Sequence, residues 1–131
     1  RLRHPAFLRP EFYTGADANH NEIPDITWFD HKGNSPDWSK TDKRLALRID
    51  GSKADIYADR DDNNFFIMFN SGSEAVTFVV AAAEDGKKWY RTVDTYLDPP
   101  DDILEAGQEQ LLPVQHEYRL NPKSMACLIS K

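Results

Sequence analysis

The sequence predicts an all-β chain folded as an antiparallel β-sandwich, Greek-key-like in its connections, and three observations carry that prediction. Short runs of apolar and β-branched residues recur along the chain, broken by clusters of Gly, Pro, Asn, Asp and Ser. No segment sustains an amphipathic helical period of useful length. Phe65-Phe66-Ile67-Met68-Phe69-Asn70 is apolar on both strand faces, with Phe65, Ile67 and Phe69 on one and Phe66 and Met68 on the other. Burying each such side chain stabilises by roughly 1.5–3 kcal/mol, so both faces need cover, one of them supplied by a second sheet.

Taken in order, residues 1–21 read as a connector: Pro5 and Pro10 interrupt it, and a polar tract runs from Thr14 to Asn21. Leu2, Phe7, Leu8, Phe12 and Tyr13 are many apolar side chains for a free tail, which suggests that they pack on a neighbouring structure. The domain proper is expected to span 22–131. Ile26-Thr27-Trp28-Phe29 reads as a strand, His31 to Pro36 as the turn that ends it, and Asp37-Trp38-Ser39-Lys40 as a single helical turn. Leu45 to Ile49 is a half-buried strand with Leu45, Leu47 and Ile49 on one face, closed by Asp50-Gly51-Ser52. Ala54 to Ala58 is a weaker, edge-like run, and Asp59 to Asn64 is a loop.

Phe65–Asn70, the Ser71-Gly72-Ser73 cluster and the run from Glu74 to Val80 together predict two strands paired in a hairpin. In the second of these, Val76, Phe78 and Val80 point one way and Ala75, Thr77 and Val79 the other. Ala81 to Lys88 is a turn, Trp89 to Thr95 a strand, and Asp98-Pro99-Pro100-Asp101-Asp102 a firm break. Ile103 to Gln110 has room for a short helix, although no period extends far enough to define one. Leu111 to Val114, Glu117 to Leu120 and Ser124 to Ser130 complete a set of roughly seven to nine strands, with Asn121-Pro122-Lys123 as a turn.

With 131 residues, 40% hydrophobic and 29% charged, the chain is long enough for one domain with its own core. A net charge of −6 with dispersed Lys and Arg argues against nucleic acid as a partner. No apolar run approaches the ~18–20 residues of a membrane span, so no membrane partner is expected. The chain opens on Arg1 with no charged-then-apolar leader, and reads as a piece of a longer, cytoplasmic protein. Cys127 is the only cysteine, on a strand face with Met125 and Ile129, and reads as a small buried hydrophobe.

Catalytic and metal chemistry find little purchase. His4, His20, His31 and His116 all fall in connectors or turns without metal-site spacing, and neither a metal nor a cofactor is expected. Asp59-Arg60-Asp61-Asp62-Asn63 begins like a calcium loop, but Asn64 and Asn70 stand where a Gly and a bidentate Glu are needed. Ser71 to Ser73 lacks the strand-turn-helix setting of a nucleophile. Among the aromatics Trp28 reads as core or interface, whereas Trp38, between Asp37 and Ser39, is the best candidate for an exposed ring. Trp38 and Tyr57 are therefore the expected carbohydrate-stacking residues if this surface holds a sugar.

Several stretches together resemble one known family. His4-Pro5-Ala6-Phe7, then Asp25-Ile26-Thr27-Trp28-Phe29 with Gly33 and Asp37-Trp38, is similar to the passage into the C-terminal domain of glycogen debranching enzymes, the isoamylase-like and pullulanase-like members of the α-amylase superfamily. Leu45 to Gly51, Phe65 to Asn70 with Val76-Thr77-Phe78, Trp89 with Val93-Asp94-Thr95, and Tyr118-Arg119-Leu120 with Ser124-Met125 continue the likeness in order. The resemblance implies a parent that hydrolyses α-1,6-glucosidic branch links by a retaining route, with all catalytic carboxylates in an upstream (β/α)8 barrel. None of them maps here, so this chain alone is expected to be inactive, with 1–21 as the connector from the barrel. The expected partner is that barrel, stabilised by packing against Leu2, Phe7, Phe12, Phe66 and Met68. The alternative is a carbohydrate-binding module that holds α-glucan.

Overall fold

The computed structural model describes residues 14–16, 24–51, 63–84 and 86–131. Among the described residues eight strands follow in order: β1 (Ile26–Phe29), β2 (Arg44–Ile49), β3 (Phe65–Asn70), β4 (Val76–Val79), β5 (Trp89–Asp94), β6 (Gln110–Leu111), β7 (Glu117–Leu120) and β8 (Ser124–Ser130). All pairings are antiparallel. Six strands form one sheet in the order β1-β2-β3-β8-β5-β6, and β4 and β7 form a second, so the architecture is the expected all-β sandwich. No helix occurs among the described residues, and Ile103 instead makes a single antiparallel bridge to Val93.

The predicted hairpin between β3 and β4 does not form. β3 pairs with β2 and β8, while β4 pairs with β7 in the other sheet, so residues 71–75 arch from one sheet to the other. The physical reason lies in Asn70, which is 2% exposed. Its Nδ2 donates to the carbonyls of Glu74 (2.9 Å), Leu120 (3.3 Å) and Asn121 (3.2 Å), and its Oδ1 accepts from the Gly72 amide (3.0 Å). A second arch, 121–123, returns the chain from β7 to β8 beside the first, and Lys123 Nζ donates to the Ser71 carbonyl across the pair. One side chain thus ties two crossings that a hairpin reading of Ser71-Gly72-Ser73 does not contain.

Between the sheets lies the main core. On β3, Phe66 and Met68 point inward; Met68 sits between Ala46 of β2 and Ala126 of β8, and Phe66 between Arg48 and Leu128. Phe78, Leu120, Val80, Trp89 and Leu112 close over them, most with no exposed surface. Flanking the large Met68 with two alanines leaves room for the opposing Phe78 and Leu120, as dense interior packing requires. Arg48 enters this core as well: its Nη1 donates to the Ala82 carbonyl at 3.0 Å, and its guanidinium lies 5.8 Å from the Trp89 ring centre. Burial pulls the Arg48 pKa down from its usual range, with Glu84 and Asp50 opposing that pull.

The outer face of the six-stranded sheet is also apolar. Leu47, Ile49, Phe65, Cys127 and Ile129 cluster there, with Ile26, Ile67, Tyr90 and Val93 packed around them. Cys127 is buried among these hydrophobes, as its strand position predicts. Exposure rises along β3 on this face, from Phe65 at 0% through half-buried Ile67 to Phe69 at 40%.

Candidate functional site

The site begins in the turn after β1. Asp30 Oδ1 accepts from the amides of Lys32 and Asn34, both at 2.9 Å, and Gly33 takes a φ of +83° that closes the turn. A Cβ on Gly33 would lie 3.0 Å from Val79 Cγ1, so the absence of a side chain also lets the turn approach β4. The His31 carbonyl accepts from the Val79 amide at 2.9 Å, which anchors the turn to the second sheet.

Next comes the segment that carries Trp38. Asp37 Oδ1 accepts from both the amide (3.1 Å) and the hydroxyl (2.5 Å) of Ser39, and the Lys40 amide donates to the Asp37 carbonyl at 3.1 Å. These bonds make one tight turn and hold the Asp37 carboxyl below its ordinary pKa, with the Ser39 hydroxyl as the largest cause. At Asp42, desolvation works against the charge, but hydrogen bonds from Arg44 outweigh it and the pKa is lowered. The turn keeps Trp38 69% exposed, with its ring centre 5.9 Å from that of Trp28 and the planes at 79°. Beside the rings opens a cleft of about 300 Å3, lined by Asp30, His31, Trp38, Lys40, Asp42 and Arg44 among others.

Trp38 is thus displayed as the sequence suggests, but its aromatic neighbour is Trp28, which is 38% exposed and not simply core. Alternation along β1 places Trp28 on the outer face with Ile26; nothing in the linear pattern shows that residues 37–40 fold back beside it. Asp30, His31, Asp42 and Arg44 were not singled out for binding by sequence, being ordinary turn and strand-end residues until the turns bring them around one cleft. Tyr57, Leu2, Phe7 and Phe12 lie outside the described residues.

Phe66 and Met68 require a correction. Both are 0% exposed and buried against the two-stranded sheet, so neither can face another domain. An apolar strand with two buried faces does not reveal which face meets its own second sheet. The outward set is Phe65, Ile67 and Phe69, joined at its exposed end by Leu45 and Met125, which pair with Phe69 from either side.

Comparison with known proteins identifies the domain. Residues 25–129 match the family model described as "Isoamylase, C-terminal". The whole chain aligns at 31% identity over 138 positions with an isoamylase of Flavobacterium sp., of which it covers 17%; it therefore spans about one-sixth of the length of that relative. β1 to β8 fall within the matched region but for the last residue of β8. The chain belongs to the isoamylase C-terminal domain family.

Proposed function

We propose that this domain is the non-catalytic buttress of an enzyme that hydrolyses α-1,6-glucosidic branch links, packing on its catalytic barrel and stabilising it. One observation carries this reading: the six-stranded sheet is apolar on both faces, while the two-stranded sheet covers only one of them. Phe69 at 40% exposure, with Ile67 and Met125 half-buried beside it, provides an outward apolar patch at one end of the outer face. Outward apolar side chains of this kind gain stability when a second domain covers them. The relative aligned above is a much longer protein, so a partner for that patch within the same polypeptide is the economical choice. The cytoplasm, where glycogen is stored, is the compartment that this reading implies.

The test uses the whole parent protein and this chain side by side. Phe69→Lys combined with Met125→Lys lowers the melting temperature of the 131-residue chain only modestly, by about 4–8 °C, because both side chains retain solvent access. In the parent the same pair lowers the melting temperature of the barrel and shortens the life of its debranching activity on glycogen. A parent whose melting and activity are indifferent to the pair sinks the buttress reading. Debranching by the 131-residue chain alone sinks its non-catalytic assignment.

A further inference from the structure

We infer that the cleft beside Trp28 and Trp38 binds an α-1,4-linked glucose chain, with Trp38 as the stacking platform. A glucose ring has apolar C–H faces edged by hydroxyls, so a site for it combines a flat aromatic surface with donors and acceptors at the rim. Trp38 supplies the surface. Its display is built rather than incidental: the Asp37 carboxylate and carbonyl together take three hydrogen bonds from Ser39 and Lys40, fixing the turn that holds the ring outward. Trp28 meets it at 79° in an edge contact, which braces the Trp38 ring from the side without stacking flat against it.

The rim argues for a neutral ligand. Asp30 and Asp42 stand with Arg44, Lys40 and His31 around the same cleft, and such mixed charge favours neither an anion nor a cation. It does suit hydroxyls, which donate to carboxylates and accept from guanidinium and imidazole. A cavity of about 300 Å3 accommodates about one or two sugar rings, with the rest of a chain running past Trp38 into solvent. The choice of an α-glucan among saccharides rests on the proposed debranching role; the stacking site itself does not.

Two measurements test this. Titration of the chain with maltoheptaose, followed by NMR, moves the indole N–H signals of Trp28 and Trp38 saturably. Trp89, buried and donating to the Ala81 carbonyl at 2.7 Å, stays still and reports that the fold is intact. Trp38→Ala abolishes the saturable response or weakens affinity at least about tenfold, Arg44→Met weakens it less, and Tyr96→Ala, at another exposed aromatic, leaves it unchanged. In the whole parent protein, Trp38→Ala reduces retardation in glycogen-containing gels. The proposal is overturned by no shift at millimolar sugar, by an equal response to cellohexaose, by a Trp38→Ala variant that binds as before, or by unchanged retardation of the parent. Failure of the buttress reading would appear separately, in parental melting of the Phe69 and Met125 variant, and would leave the Trp38 response untouched.

Discussion

Asn70 is the position at which a single substitution tests the fold most sharply. In Asn70→Ala the carbonyls of Glu74, Leu120 and Asn121 lose their shared donor, and the Gly72 amide loses its acceptor. The Leu120 contact is buried and cannot readily be replaced by water, at a cost of about 1–3 kcal/mol; the part-buried contacts add about 1 kcal/mol more in total after rehydration. A loss of about 2–4 kcal/mol follows, or roughly 8–16 °C in melting temperature at about 4 °C per kcal/mol for a domain of this size.

Asn70→Asp sharpens the test, because it keeps the acceptor for Gly72 but turns a carboxylate toward three carbonyl oxygens. Burial and those oxygens raise the folded-state pKa of the new carboxyl above its unfolded value of about 3.9. The sign follows: the deficit is smallest below about pH 3.9, where a protonated carboxyl can donate in the folded state, and grows as pH rises through the folded-state pKa. Urea unfolding followed by Trp fluorescence, at pH 4 and pH 7, measures both variants. If Asn70→Ala lies within about 1 kcal/mol of the wild type, or if the Asp and Ala variants match at both pH values, the tied-arch account is refuted.

Two further outcomes follow from packing and charge. Phe66→Ala costs about 3–5 kcal/mol by opening a cavity between the sheets, whereas Phe69→Ala costs about 1 kcal/mol in this chain; equal losses in thermal melts would contradict the assignment of the two faces. Tyr118 donates its hydroxyl to Asp94 Oδ2, and burial first, then that carboxylate, raises the phenol above its ordinary pKa of 10.0. Tyr118→Phe therefore costs about 1.5 kcal/mol at neutral pH, a penalty that is constant up to about pH 9 and shrinks above pH 10 as ionisation in the unfolded state erodes the wild-type advantage. A pH-independent difference across that range, in denaturant titrations, would show that the bond does not carry the effect.

What the sequence determined by itself was local. Ile26–Phe29, Glu117–Leu120 and Ser124–Ser130 emerge as strands with the bounds their alternation indicates, because β-branched and aromatic runs between turn formers carry the strand period in the residues themselves. Val76, Phe78 and Val80 turn toward the core and Thr77 and Val79 toward solvent for the same reason. Partnership was decided elsewhere. Phe65–Asn70 is equally apolar on both sides, so which side meets the second sheet depends on the strands that come to flank it, β2 and β8, whose residues are distant in sequence. Arg48, on the polar side of an alternating strand, is buried because Trp89 and the Ala82 carbonyl receive its guanidinium. The arches at 71–75 and 121–123 exist through the hydrogen bonds of Asn70 to residues 50 and 51 positions away. Trp38 owes its setting to the same kind of event: its exposure is suggested by its loop, but the neighbouring Trp28 ring and the mixed-charge rim are assembled only when two turns and a strand end meet in space. Alternation is written in neighbouring residues, whereas pairing, covering and cleft formation depend on contacts between distant ones.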